Sequence, residues 1–446
     1  KMDRPSTKPP SGFRDFTPAE SAQRVDLTEK IGRAYRAFGF QQILTPACEN
    51  LSTLQGKGGG TDNEKLIFRI LRRGDDLGRA LEKSRATGES ADLADMGLRF
   101  DLTLPLARYV SELRGEIALP FKVFQLGSVW RADRPQKGRF REFVQCDVDM
   151  VGAEAPGAEI DCLGAIHSVF EAVGVEGVEF HINDRRLLLA IGKKFGFEAE
   201  EWTKILVSLD KFDKIGRDGV VAELEKWLAA DKVASGFLDD ILGSHPDLKH
   251  YQDLHPEAVG SVAEIVSSLT ELGARAVFNA SLVRGQDYYT GTIFEARHPA
   301  IPGSLAGGGR YDGLLSVFGG PPTPAFGGSI GFERLLMILA EKPEALAKRA
   351  PDVFLPLLDS KLRNEILRIA KELRERGLSV DVYPQAAKLK NQFKYADSRG
   401  CPFTLILGED EFNKGIAKVK DVRTSTETEY PLSALAEKLE NLCRDR

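Results

Sequence analysis

Cysteine is scarce in this chain. There are five in 446 residues, Cys48, Cys146, Cys162, Cys401 and Cys443, scattered and without C-x-x-C spacing. That excludes a disulfide scaffold, offers no zinc site and fits a reducing cytosol. Histidine is nearly as rare, and the six present form no H-E-x-x-H pair or other metal spacing, so no protein-built metal centre is expected. No G-x-x-x-x-G-K-[ST] run occurs, so nucleotide phosphates, if bound, are held by something other than a P-loop. No apolar stretch approaches the ~20 residues of a membrane helix. The polar, Pro-rich residues 1–10 hold no signal-peptide apolar region, and the expectation is a cytoplasmic protein without a membrane partner. Excess positive charge is missing too: 61 Lys and Arg against 66 Asp and Glu leave a formal charge of -5. This argues against a generally basic nucleic-acid coat but leaves room for local patches. What is present is an ordinary globular composition, 42% hydrophobic and 28% charged, in a chain long enough for two or three domains.

The most informative segment is 130–149, W-R-A-D-R-P-Q-K-G-R-F-R-E-F-V-Q-C-D-V-D. Arg131, Arg134, Lys137, Arg139 and Arg141 crowd a loop built around Pro135 and Gly138, between two runs that read as strands. The outgoing run has a period of two. Phe140, Val144, Cys146, Val148 and Met150 share one face; Arg139, Arg141, Phe143, Gln145, Asp147 and Asp149 share the other. That second face is cationic at the loop end, carries a ring and an amide in the middle, and is acidic at the far end. A fitting ligand is anionic at one end, carries a donor at the other and has a flat ring nearby. A nucleoside triphosphate beside an amino acid has this profile.

Along the chain, 15–38 reads as an amphipathic helix starting near Thr17-Pro18, and 41–45 as a strand ending at Pro46. The stretch 56–61 is Gly-rich, and 72–95 is a charged surface insertion. Alternation over 98–110 predicts a strand that points Arg99, Asp101 and Thr103 to one side; an acid and a hydroxyl two apart can receive an ammonium. A strand at 178–182 precedes a helical block, 184–272, and strands resume at 276–283 and 292–296. The segment 282–295, L-V-R-G-Q-D-Y-Y-T-G-T-I-F-E, offers Arg284 beside Gly285, then Asp287, Tyr288 and Tyr289. The segment 306–313, A-G-G-G-R-Y-D-G, suits a backbone packed against a ligand. In 324–336, P-A-F-G-G-S-I-G-F-E-R-L-L, a small-residue strand runs into a helix presenting Arg334. Beyond a Pro-bounded linker near 342–351, strand and helix alternate as in a small α/β domain with a parallel or mixed sheet.

Together these segments resemble the class II aminoacyl-tRNA synthetases, and specifically the histidyl-tRNA synthetases. The helix and strand ending at Pro46 resemble motif 1, the 131–143 run motif 2, and 324–336 motif 3. R-G-x-D-Y-Y-T-G and A-G-G-x-R-Y-D-G resemble the family's two histidine-specific signatures, with Gln286 where the family usually has Leu. The implied fold is an α+β catalytic domain (1–350) whose antiparallel sheet is flanked by helices. A helical insertion (184–272) interrupts it, and a C-terminal α/β anticodon-binding domain (351–446) follows.

The resemblance also implies roles. Arg131, Asp133, Arg139, Phe143 and Arg334 match ATP-binding positions, Phe143 as the ring stacked on adenine. Asp101, Thr103 and Gln145 match the histidine α-amino site, and Asp149 the acid that reads the imidazole. Tyr288, Tyr289 and Tyr311 fall at the pocket tyrosines. Arg284 matches the catalytic arginine near the α-phosphate and the histidine carboxylate; Arg131 and Arg334 complete the catalytic set. Lys388, Lys390, Lys394 and Tyr395, with Asn391 and Gln392, stand where the anticodon domain meets tRNA. The implied reaction makes histidyl-adenylate from ATP and histidine and passes the histidyl group to tRNA(His). It uses no protein nucleophile, and Mg²⁺ arrives on the ATP phosphates. A homodimer is implied by motif 1. Two rivals from other classes are a synthetase-like regulatory subunit of a phosphoribosyltransferase and a pseudo-synthetase that only binds tRNA or a partner. The C-terminal domain and the catalytic arginines count against the first, and Arg131, Arg284 and Arg334 against the second.

Overall fold

Thr17 starts the first helix, Pro18–Ala37, by accepting from the Glu20 backbone while Glu20 reaches back, with Pro18 at the first turn. The structure is a computed structural model describing residues 5–55, 64–88, 93–135, 140–233, 236–243, 247–284, 288–341 and 350–444. It divides into two compact units, Lys1–Ala347 and Lys348–Arg446. Leu27, Ile31 and Tyr35 of the first helix are buried on a large sheet, and the Tyr35 hydroxyl donates to the Cys146 carbonyl at 3.1 Å.

The first unit contains strands β1 (Gln41–Gln42), β2 (Cys48–Asn50), β3 (Arg69–Leu71), β4 (Ala94–Leu98), β5 (Phe121–Trp130), β6 (Glu142–Val151), β7 (Glu179–Asp184), β8 (Arg275–Phe278), β9 (Thr292–Arg297), β10 (Ser304–Arg310) and β11 (Ala325–Gly331). Eight form one sheet in the order β1-β5-β6-β11-β10-β9-β7-β8, antiparallel except for parallel pairs at its two edges; β2-β4-β3 form a small sheet. Alternation on β6 sorts its side chains. Cys146, Val148 and Met150 join a core with helices Pro18–Ala37, Gly157–Ala172, Pro256–Glu271 and Phe332–Leu339. Phe143, Gln145, Asp147 and Asp149 face the other way into a cavity. The sheet therefore has a helix-covered face and a working face.

Several expectations change in detail. The strand expected over 98–110 is two elements: β4 stops at Leu98, and Thr103–Glu112 is a helix started by Asp101, whose carboxylate accepts from Leu104 N at 3.2 Å. Arg99 points into the wall instead, giving Nη1 to Thr45 O at 2.6 Å and Nε to Ser128 O at 3.0 Å. The charged 72–95 stretch contains a helix, Gly74–Thr87, and leads into β4. β8 ends at Phe278, and the Gly-rich 306–313 run lies mostly in β10. Within the helical block 184–272 the helices differ. Trp202 stacks on Phe197 at 5.4 Å and meets Phe237 edge-on at 5.9 Å in one core, whereas Val262, Ile265 and Leu269 of Pro256–Glu271 belong to the sheet's core.

The second unit is a five-stranded mixed sheet, β13 (Val380–Val382), β12 (Val353–Leu355), β14 (Phe403–Ile406), β15 (Ile416–Asp421) and β16 (Thr426–Pro431), in that spatial order. Its first three strands are parallel and the last two antiparallel, with Ile366, Ile369, Leu373, Leu435 and Leu439 packed from helices Arg363–Glu375 and Leu435–Arg444. The exposed strand β16 has a weak apolar pattern and no counterpart in the sequence reading.

Candidate active site

The working face holds a cavity of about 800 Å³. Its floor is β6, β10 and β11, and glycines make it flat. A Cβ at Gly307 would lie 1.5 Å from Arg284 Nη1, and one at Gly327 would lie 1.8 Å from Asp149 Oδ1. These glycines leave room for functional side chains that cross the strands, which is a tertiary reason for the small-residue runs.

One end is cationic. Arg131, just past β5, gives Nε to the Phe100 carbonyl at 3.1 Å, and its guanidinium lies 5.0 Å from the centre of the Phe143 ring. Arg334 lies in the first turn of helix Phe332–Leu339 and donates to the Ser304 carbonyl. Its neighbour Glu333 is held by Arg14 at 2.8 Å and by Arg24 at 2.7 Å, which ties the N-terminal segment to this helix. Arg284 reaches in from the loop after β8. Its φ of 50° is left-handed, uncommon for a residue with a Cβ, and such strain persists where the surroundings over-determine it. Here the surroundings are visible: Nη1 donates to Phe294 O at 3.0 Å and lies 3.8 Å from Glu295 Oε1, while Arg185 reaches the Arg284 carbonyl at 3.4 Å.

The other end is acidic and buried. Burial pushes the Asp101 carboxyl up to about 6, opposed by the Leu104 amide and Arg131. Burial likewise raises Asp149 to about 7, although the Tyr311 hydroxyl donates to Oδ1 at 2.6 Å. Asp147 is raised well above the usual carboxylate range by burial and then by Asp149. Tyr288 packs edge-on to Tyr289 at 4.8 Å and to Tyr311 at 6.3 Å, closing this end with rings. Buried acids whose charge Arg131 offsets only in part suit a ligand that brings positive charge and N–H donors.

The cavity gathers Asp101, Thr103, Arg131, Asp133, Phe143, Gln145, Asp149, Arg284, Tyr288, Tyr289, Tyr311 and Arg334 from segments far apart in sequence. Arg139, with Lys137, lies outside the described residues, as do Gly285, Gln286 and Asp287. Arg141 turns away and gives Nε to the Asp133 carbonyl at 3.0 Å. Arg310 also leaves the cavity for a buried pair with Glu159, both bonds 2.7 Å. Sequence reasoning gave no role to Asp147, Ser329 or Asp210, which also line the cavity. Period-two alternation put Asp147 on the correct face; Asp210, from the helical block, carried no signal.

In the second unit Lys388, Lys390, Asn391 and Lys394 are exposed on or beside helix Leu389–Arg399. Gln392 is not available for a ligand: it is fully buried and clamps the Leu357 backbone, accepting from N and donating to O, both at 2.8 Å. Tyr395 is half-buried, its ring beside Tyr383 and Phe354 and its hydroxyl donating to Asp381 at 3.0 Å, which favours a packing role.

Comparison with known proteins gives two family matches: histidyl-tRNA synthetase over residues 12–335 and an anticodon binding domain over 352–442. A histidine–tRNA ligase of Leifsonia xyli is 40% identical over 411 residues, covering 88% of this chain and 93% of its own. One from Christiangramia forsetii is 35% identical, covering 96% and 98%. The solved histidyl-tRNA synthetase of Nostoc sp. PCC 7120 superposes with a TM-score of 0.82 at 27% identity, covering 98% of this chain and all of its own. The span matching one family takes in the whole working face up to Leu335, and this chain belongs to that family, the histidyl-tRNA synthetases.

Proposed function

We propose that the cavity is where this histidine–tRNA ligase activates histidine with ATP and passes it to tRNA(His). The carrying observation is a single cavity with arginines at one end and buried carboxylates with tyrosines at the other. In this reading Arg131 and Arg334 hold ATP phosphates, with Asp133 and Arg139 as further contacts, and Phe143 stacks on adenine. Asp101, Thr103 and Gln145 take the α-ammonium of histidine. Asp149, backed by Tyr311 and walled by Tyr288 and Tyr289, reads the imidazole. The histidine carboxylate attacks the α-phosphate, the α–β bridge breaks and pyrophosphate leaves. A terminal ribose hydroxyl of the tRNA then attacks the acyl carbon and AMP leaves. Arg284 lies between the two ends and suits charge that develops on the α-phosphate and carboxylate oxygens.

Mg²⁺ is proposed to enter with ATP, since it keeps several waters and needs one or two protein carboxylates. The described residues contain no group of three or more side chains able to hold a metal, so phosphates supply most ligands in this reading. A homodimer through the 18–46 region is proposed in the same way; Leu44, 80% exposed beside β1, supports it. The segments 1–350 and 351–446 serve as catalytic and anticodon-binding domains, and the helices within 184–272 clamp the acceptor arm. Lys388, Lys390 and Lys394 meet tRNA phosphates, with Tyr395 left a lesser part. No helix among the described residues is long and apolar enough to cross a membrane, and a cytoplasmic setting is proposed.

The test is pyrophosphate exchange that depends on histidine. Wild type should show it, and Asp149→Ala should raise the KM for histidine strongly while that for ATP changes little. Equal effects on both substrates would move the acid away from the imidazole.

A further inference from the structure

Three side-chain oxygens at successive cavity-facing positions of β6 have no partner among the described residues: Gln145 Oε1, Asp147 Oδ1 and Asp149 Oδ2. Asp147 and Asp149 are each 3% exposed. Buried acceptors left without donors are expensive, and a folded chain keeps such a row where a ligand brings the donors. The row also sets a ruler. Side chains two residues apart on a strand are about 6.8 Å apart.

Asp149 fixes one end of the ruler. Tyr311 already occupies its Oδ1, at 2.6 Å, leaving Oδ2 for one ring N–H. The α-ammonium of histidine lies from its far ring nitrogen by a distance comparable with one interval of the strand. One interval back from Asp149 is Asp147; Gln145 is two intervals away. The nearer partner for the ammonium is therefore a carboxylate to which the family motifs gave no role. Asp147 lies in register between Gln125 on β5 and Ser329 on β11, and the Ser329 side chain hydrogen-bonds its carboxyl. Asp101 is close enough to act on it electrostatically, so two buried carboxyls face the same space. Arg131 does not neutralise this pair directly, because it is turned onto the Phe100 carbonyl and the Phe143 ring. An ammonium has three N–H donors, and the carboxylates of Asp101 and Asp147 can accept two of them, leaving the third for Thr103 or Gln145.

We infer that Asp147 is a histidine-binding residue, the second carboxylate on the substrate's α-ammonium. This rests on the reading of the cavity as the histidine site, and the experiment separates the two. The probes are L-histidine, histamine, which keeps the amine and ring but lacks the carboxylate, and 3-(imidazol-4-yl)propionate, which lacks the amine. Dissociation constants are measured by titration calorimetry on wild type and Asp147→Asn. Wild type should prefer histidine and histamine to the propionate. In Asp147→Asn, histidine and histamine should weaken by about 10- to 100-fold, the loss of one charge-assisted bond. The propionate should bind as before or tighter, since it no longer leaves a carboxylate unpaired.

Equal weakening of all three ligands, or no change in any, would overturn the inference. Wild type that binds neither histidine nor histamine would remove the histidine site and the inference with it. Wild type that keeps its preference while Asp147→Asn keeps it undiminished would remove Asp147 alone. If the Asn variant folds poorly, Asp147→Ser carries the same comparison. A reduced folded fraction scales the apparent dissociation constants of all three ligands alike, so the ratio between amine and propionate ligands stays readable.

Discussion

A single methyl group at position 307 should disable Arg284. A Cβ built on Gly307 would lie 1.5 Å from Arg284 Nη1, 2.6 Å from Cζ and 2.9 Å from Nη2, far inside any non-bonded contact. One side must give. The strand is held on both flanks, Gly307 pairing with Ser329 on β11 and with Glu295 on β9. The guanidinium is the end of a flexible stem, so it moves and loses its 3.0 Å bond to Phe294 O. Removing one preorganised donor from developing charge typically costs about 10²–10³ in rate, roughly 2.7–4 kcal/mol. The substitution itself is mild for the backbone, since Gly in a strand is about 0.5–1 kcal/mol worse than Ala. Gly307→Ala is therefore expected to be folded, with an unfolding temperature close to wild type, near-normal ATP binding, and histidine-dependent pyrophosphate exchange slowed about 10²–10³-fold. The double variant with Arg284→Ala is the decisive assay. If both changes act on one guanidinium, the double should be no slower than Arg284→Ala alone. Near wild-type exchange by Gly307→Ala would refute the reasoning. So would a double variant slowed by the product of the two single effects, since the methyl would then be obstructing substrate directly.

Three further outcomes are expected. Gly327→Ala puts a Cβ 1.8 Å from Asp149 Oδ1, which Tyr311 pins; the KM for histidine should rise roughly tenfold or more with that for ATP little changed, and steady-state kinetics showing a matching rise for ATP would count against it. Folded Asp101 and Asp149 titrate near 6 and 7, above the unfolded value of about 3.9, so between about pH 4 and 7 the native state holds protons that the unfolded chain has lost. Stability of the ligand-free protein should therefore fall as pH rises through that window, by up to about 1.4 kcal/mol per pH unit for each group; Asp149→Asn should flatten the fall in urea unfolding at pH 5 and 8, and an unchanged slope would discount the burial argument. Replacing Lys388 and Lys394 together should weaken tRNA binding and reduce its log–log salt slope by about 1–2, whereas identical slopes would remove these exposed lysines from the tRNA surface.

Much of the architecture follows local rules. Thr17, Pro18 and Glu20 mark a helix start that nothing distant needs to supply, and the strand–helix alternation expected beyond the 342–351 linker is the layout of the second unit. Where the reading slipped, two local signals competed. Over 98–110 the alternating Leu98, Phe100, Leu102 and Leu104 imitate a strand, but Asp101 caps Leu104 and starts a helix. In the second unit the resemblance groups Gln392 with Lys388, Lys390, Lys394 and Tyr395 toward tRNA; helical geometry turns it inward, where its amide serves the Leu357 backbone.

For the site, the sequence alone determined which polar residues share a face of β6 and their chemical character, because period-two alternation sends Gln145, Asp147 and Asp149 to one face whatever that face meets. It also determined that arginines and Gly-rich strands accompany them. Only the tertiary structure decided what those groups do to each other. Asp149 meets Tyr311 because β11 and β10 bring position 311 beside β6, and Gly307 matters because the loop after β8 folds Arg284 over it. Asp147 meets a second carboxyl only because Asp101, from a different segment, lines the same space, where burial removes the water that would otherwise satisfy both. Such couplings depend on distances of a few ångströms across non-adjacent segments and on a desolvated interior, and neither is encoded in the spacing along one strand.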